Sequence, residues 1–162
     1  MEIREIKTGK RQYWDLLFLA DEQEEMIEAY LERGEMFVLD DGGVKAECVV
    51  TDEGDGVLEI KNIAVLPEYQ GKGYGKLLIT FLEQTYRDSF RILRVGTGDS
   101  PLTIPFYERC GFRESFRRKH FFIEHYDHPI VEGGVLLDDM VYLEKRLTKA
   151  SHCDTMAGTD HE

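Results

Sequence analysis

The chain is short of the residues that staple, anchor or export small proteins. Its 162 residues hold three cysteines, Cys48, Cys110 and Cys153, widely spaced and with no C-x-x-C pair. An odd and scattered set argues against a disulfide framework or a zinc site, and for a reducing compartment. No apolar run approaches a membrane span, and Met1-Glu-Ile-Arg-Glu-Ile lacks the apolar stretch of a secretory signal. A cytoplasmic protein with no membrane partner is therefore expected. Basic residues are also few: 20 Lys and Arg stand against 32 Asp and Glu, a formal net charge of -12. That balance argues against nucleic acid as a partner and favours a cationic one. No repeat and no second domain is evident, and the length suits one domain with its own core.

The order of elements reads as follows. Ile3 and Ile6 among charges predict a short first strand over 2–7. Apolar residues from Leu16 to Leu31 recur at helical spacing and predict a helix over 10–33, closed by Gly34 as a C-terminal cap. Its other face carries Asp21, Glu22, Glu24, Glu25, Glu28 and Glu32, a run that by itself reads as a solvated surface. Met36–Leu39 and Val44–Thr51 flank Asp40-Asp41-Gly42-Gly43, a hairpin signal, and a second turn leads into the strand Val57–Val65. A helix over 74–87 and a buried strand Arg91–Val95 follow. Pro101–Cys110 reads as a short helix capped by Asp99 or Ser100, with Pro105 an awkward interior residue. Phe112–Glu124 and Val135–Leu147 read as the last two strands, separated by the loop Tyr126–Gly134. The polar segment 148–162 is expected to be a mobile tail.

One stretch organises the rest, Asn62-Ile-Ala-Val-Leu-Pro-Glu-Tyr-Gln-Gly-Lys-Gly-Tyr-Gly-Lys-Leu-Leu-Ile79. An apolar strand breaks at Pro67, passes Gly71, Gly73 and Gly75, and continues as a helix. Dense glycines let the backbone N–H groups face inward, and the helix start adds unpaired donors and a positive dipole end. Together these make a seat for phosphate. A nucleotide triphosphate loop needs G-x-x-x-x-G-K-[ST]. Here Gln70 stands for the first glycine and Leu77 for the hydroxyl, so that reading fails. A dinucleotide fingerprint needs G-x-G-x-x-G early in a βαβ unit, and the spacing here is G-x-G-x-G. What remains, Gln70-x-x-Gly73-x-Gly75 after Val65-x-Pro67, resembles the acyl-CoA pyrophosphate loop of the GNAT superfamily of acetyl-CoA-dependent N-acetyltransferases.

A second signature agrees. Phe106-Tyr-Glu-Arg-Cys-Gly-Phe112 resembles the family's F-Y-x-x-x-G-F element, in which Tyr107 corresponds to the usual general acid. The family often has Asn seven residues earlier; Ser100 here keeps an oxygen and loses the amide. The resemblance spans 35–147 and implies a domain over residues 1–147. It implies an α/β (α+β) fold with a mixed, mostly antiparallel sheet of six or seven strands and helices on both faces. Acetyl-CoA is the implied co-substrate, with no metal and no covalent enzyme intermediate. Its implied contacts are Ile63, Ala64 and Val65 through exposed strand backbone, Gln70, Gly71, Lys72, Gly73, Tyr74, Gly75 and Lys76 through the loop, with Ser100 and Tyr107. The acceptor implied is a small-molecule or peptide amine; a homodimer is compatible with the resemblance.

The reaction also demands a base. An alkyl amine with pKa about 10.4 is neutral in only roughly one molecule in 2,500 at pH 7. Glu59, eleven residues before Gln70 on the strand feeding the loop, stands where some GNAT enzymes carry their base. Its other reading is an ion pair with Lys61 or with a cation of the next strand. Trp14 and the acidic helix face lie in the region that in the family helps form the acceptor site. His120, His125 and His128 have no metal-ligand spacing and read as loop residues, with one of them a second choice of base. The alternative function is a catalytically silent acyl-CoA-binding sensor or regulatory module.

Overall fold

A computed structural model describes residues 1–148. The expected mobile tail lies outside the described residues from 149 on.

The centre is a seven-stranded sheet. Its strands are β1 (Glu2–Ile6), β2 (Glu35–Asp40), β3 (Val44–Asp52), β4 (Val57–Val65), β5 (Ile92–Gly98), β6 (Arg113–Arg118) and, later in the chain, β9 (Met140–Arg146), in the order β1-β2-β3-β4-β5-β9-β6. Only the β4–β5 pair is parallel; every other pair in it is antiparallel. The parallel pair requires a crossover, supplied by α3 (Tyr74–Tyr86). Leu78, Ile79, Leu82 and Tyr86 of α3 pack with Leu58, Ile60, Leu93 and Val95 into the larger core. On the opposite face α1 (Trp14–Ala20) and α2 (Glu24–Leu31) bring Leu17, Ile27, Tyr30 and Leu31 onto Met36, Val38 and Val49. Helices on both faces of one mixed sheet are the expected architecture. Among the described residues no helix is long and apolar enough to cross a membrane.

The elements differ from the sequence reading in five places. The helix expected over 10–33 is a 3-10 turn (Lys10–Tyr13) and two helices, because Asp21 is extended at φ -145, ψ 110. Its carboxylate is held by the Tyr126 hydroxyl at 2.8 Å and the Tyr30 hydroxyl at 3.3 Å, tertiary bonds that override helix propensity. Gly34 is not a left-handed cap. A Cβ there would lie 2.6 Å from Val49 Cγ1 and 2.9 Å from the Tyr30 carbonyl oxygen, so the position needs the missing side chain for space. The end of α2 is capped by Lys10, whose ammonium reaches the Leu31 and Gly34 carbonyls at 2.8 and 2.7 Å. The helix expected over 101–110 begins late, as α4 (Ile104–Arg109), which puts Pro105 in the first turn where its lost N–H costs nothing.

The two expected final strands are also interrupted. β6 stops at Arg118, His120 takes φ 60, and α5 (Phe121–His125) turns Phe121 and Phe122 inward against Ile130 and Leu137. Val135–Leu136 (β8) pairs with Val131–Glu132 (β7) in a separate hairpin, and the main sheet resumes only at Met140. Apolar burial in this third small cluster decides the path, where alternation alone predicted straight strands.

Candidate active site

The site is built where two strands part. β4 and β5 are paired from Val57–Ile92 to Ile60–Val95 and no further. A register shift between Val49 and Val50 leaves Lys61 as an extra residue in β4, and beyond it β4 stays with β3 while β5 stays with β9. The opening becomes a cleft of about 680 Å³. Ile63, Ala64 and Val65 form one wall and Gly96, Thr97 and Gly98 the other.

At one end stands the start of α3. Gly73 is its N-cap at φ 88, a left-handed conformation that disfavours most side chains, and the space where its Cβ would project is empty. The N–H groups of Tyr74, Gly75 and Lys76 are ones that a helix start leaves without an intrahelical acceptor. Gln70, Gly71, Gly73, Tyr74, Gly75 and Lys76 all line the cleft. Gly75 has a different reason for its lack of a side chain: a Cβ would sit 3.2 Å from Phe106 Cζ, so it serves the α3–α4 contact. The Gln70 amide donates to the Val65 carbonyl at 3.1 Å, and the Tyr74 hydroxyl to Asp41 at 2.6 Å, which fixes the loop against both ends of its neighbourhood. Lys72 does not line the cleft; its ammonium lies 5.7 Å from the Tyr69 ring. Ser100 is buried and outside the lining, with its hydroxyl accepting from the Leu102 N–H at 3.1 Å as a turn former.

Tyr107 lines the cleft from α4, wedged edge-on between Phe106 and Phe112 at 5.2 and 5.8 Å between ring centres. Among the described residues nothing hydrogen-bonds its hydroxyl. Burial pushes the phenol well above its ordinary value, helped by Cys110 and Glu132, so it carries its proton at neutral pH.

The other end is acidic and better connected than the sequence suggested. Asp21, Glu22 and Glu132 line the cleft with Asn62 and Tyr126. The Asn62 amide donates to the Leu17 carbonyl at 2.9 Å and to the Tyr30 hydroxyl at 3.0 Å; Tyr30 donates to Asp21 in turn. Burial raises the Asp21 carboxyl, opposed by its bonds from Tyr126, the Gln23 N–H and Tyr30. Of the acidic run, Glu24, Glu25, Glu28 and Glu32 are exposed on α2 or just beyond it, as a solvated face would be. Trp14 lies outside the cleft, under the Arg11 guanidinium at 5.0 Å. Asn62, Tyr30 and Tyr126 went unread because a tyrosine or asparagine at a core spacing carries no local signal; only the tertiary bonds reveal them.

Glu59 stands apart from this group. Its carboxylate is bonded by Lys61 and Arg94, both at 2.8 Å, and it is not part of the cleft wall. None of the three histidines lines the cleft either. His120 bonds Asp138 at 2.8 Å, His125 bonds the Phe121 carbonyl at 3.0 Å, and His128 bonds Asp127. His120, Asp138 and Asp139 bring ligand atoms within 4.8 Å of one another, a geometry that exposed acids also adopt without an ion.

The comparisons with known proteins agree with this geometry. Residues 32–114 match the acetyltransferase (GNAT) domain family. An uncharacterised N-acetyltransferase of Bacillus subtilis (strain 168), YvbK, is 37% identical over 133 residues, 80% of this chain and 86% of its own. The structure is similar to an IAA acetyltransferase from Bacillus cereus ATCC 14579, with TM-score 0.83 at 34% identity over 90% of this chain and 99% of that one. A GNAT family acetyltransferase from Elizabethkingia anophelis, with acetyl-CoA bound, gives TM-score 0.85 at 32% identity over 90% and 97%. A strand pair that parts beside a glycine-rich helix start, together with these relatives, leads to one conclusion: the chain belongs to the GNAT superfamily of acetyltransferases.

Proposed function

We propose that the protein transfers an acetyl group from acetyl-CoA to a primary, cationic amine by direct attack within a ternary complex. The observation that carries this is the parting of β4 and β5, with an anion seat at one end of the gap and carboxylates at the other. Acetyl-CoA in the Elizabethkingia relative supports it as the co-substrate here. Its pyrophosphate would meet the N–H groups at the start of α3, and its extended arm the free backbone edge of Ile63–Val65.

Asp21 suits the role of base. Its carboxyl faces the cleft, and burial brings its pKa nearer to that of an amine, which makes it a stronger proton acceptor. Glu59 remains the motif's candidate, but its two ion pairs support a structural role. Asp21 would first take a proton from the bound ammonium, the neutral amine would then attack the thioester carbon, and a backbone N–H of β4 would hold the carbonyl oxygen. Tyr107 would then donate to the sulfur. A buried phenol is a weaker acid than a thiol near pKa 8.5, so Tyr107 would hold the departing sulfur by an O–H hydrogen bond and keep its proton, while the thiolate takes its proton from the attacking nitrogen through water.

The test is release of free thiol from acetyl-CoA with a panel of amines. Cationic alkyl amines should support turnover well above hydrolysis. Tight acetyl-CoA binding with no turnover on any amine would instead indicate a silent acyl-CoA sensor.

A further inference from the structure

Beneath the acceptor end lies a group that the reaction scheme does not use. Glu47, on β3, has no exposed surface, and neither of its carboxyl oxygens has a hydrogen-bond partner. Asn62 Oδ1, also buried, is likewise unpartnered. In the β3–β4 ladder Glu47 lies opposite Ala64, and Asn62 opposite Val49, so the two are diagonal neighbours on the α1–α2 face. The orientation of the Asn62 amide is fixed, because the Leu17 carbonyl can only accept and so must face the amide nitrogen. Neighbouring positions of one buried face thus hold three acceptor oxygens, and among the described residues no donor reaches any of them. An ionised Glu47 would leave all three unsatisfied; a protonated one supplies the missing donor.

We propose that Glu47 is a buried carboxylic acid whose O–H donates to Asn62 Oδ1, directly or across one water, and so positions the chain that ends on Asp21. Every bond then runs one way. Glu47 donates to Asn62, the Asn62 amide to Tyr30, and the Tyr30 hydroxyl to Asp21, whose other oxygen takes the Tyr126 hydroxyl. The chain holds Asp21 as an oriented carboxylate facing the cleft. Glu47 is a positioning residue; it does not reach the substrate. Its surroundings keep it neutral. Val38 and Ala64 flank it on the adjacent strands, and the titratable groups that feel its charge are Tyr30 on α2 and Cys48 on its own strand, neither of them a cation.

This rests on the proposed acetyl transfer with Asp21 as base, so the experiment has one arm free of turnover. In the infrared arm, the protein at neutral pH should show a protonated-carboxyl band that Glu47→Gln removes. Its absence from the wild-type spectrum overturns the proposal whether or not an amine substrate is found. In the kinetic arm, Glu47→Met keeps the bulk and loses the donor. It should lower kcat by about tenfold and move the acidic limb of kcat/KM for the amine upward, with KM for acetyl-CoA unchanged. Glu47→Gln, which still donates, should recover most of that loss and restore the limb. A Gln variant as impaired as the Met variant would mean that the negative charge matters, and would overturn the proposal. So would a Met variant with an unchanged pH profile.

Discussion

The Asn62 amide donates to the Tyr30 hydroxyl at 3.0 Å, so the strand that forms one wall of the cleft and the helix behind it share a buried bond. Tyr30 in turn holds Asp21, which makes that carboxylate part of the core as well as of the cleft. Asp21→Asn should lower kcat/KM for the amine roughly 10²-fold while acetyl-CoA affinity stays the same. The sign with pH follows from the raised pKa. A base works ionised, so wild-type activity climbs as pH passes a value above the ordinary carboxylate range, and that limb should vanish in the variant. Glu59→Gln gives the contrast: a lower Tm from loss of the Lys61 and Arg94 pairs, with an unchanged profile. A pH–rate series on both variants separates the two.

Tyr107→Phe keeps the packing against Phe106 and Phe112 and removes one hydroxyl. Turnover should fall by about 10²-fold, with Kd for acetyl-CoA little changed by calorimetry. Near-normal turnover would make Tyr107 a packing residue.

Gly73→Asn tests the cofactor seat. Asparagine tolerates the left-handed backbone at φ 88, so the turn survives while a side chain enters the open space at the helix start. Acetyl-CoA binding should weaken at least tenfold, about 1.4 kcal/mol, with Tm changed little. Equal affinity in the variant would remove the phosphate from this position.

Gly34→Ala probes the fold away from the cofactor seat. The added Cβ meets Val49 and the Tyr30 carbonyl inside contact distance. Overpacking of this kind costs about 1–3 kcal/mol, or a Tm lower by roughly 2–12 °C at this chain length. Thermal unfolding measures it directly.

Glu47 also gives a stability signature. Burial alone pushes its carboxyl well above the usual Glu value. A folded pKa above the unfolded one means that folding holds an extra proton, so stability is lost as pH rises past the ordinary Glu range. Glu47→Gln has no proton to lose. Its Tm relative to wild type should rise as pH climbs above the ordinary Glu value of about 4.3, by a gap that grows at up to about 1.4 kcal/mol per pH unit until the folded carboxyl titrates. A constant gap would mean that Glu47 is not held protonated.

Most of the sheet could be read from the chain. The Gly42-Gly43 turn, the alternation in β2 and β3, and the strand-to-glycine-to-helix run at Asn62–Ile79 are local signals, and local physics was enough to order them. The acceptor end was less legible. The acids at 21 and 22 share one polar run with exposed Glu24 and Glu25, and it is the bonds from Tyr30 and from Tyr126, more than a hundred residues away, that set Asp21 apart from that run. Glu47 sits in β3 where any strand would place a residue on its α1–α2 face; its burial depends on α1 and α2 folding over it. Glu59 had two readings in the sequence, and the ion pairs with Lys61 and Arg94 match the structural one.

The short β4–β5 ladder has a further consequence, for solubility. Past Ile60 and Val95 each strand turns an unpaired edge toward the other, and unpaired edges are templates on which a foreign strand can grow. Here the two edges face one another across the cleft instead of lying at the outer rim of the sheet. The protein thus keeps two adhesive edges available to a slender ligand while hiding them from its neighbours. Filling the gap would remove the hazard altogether, so the empty form should be the one that aggregates first on heating.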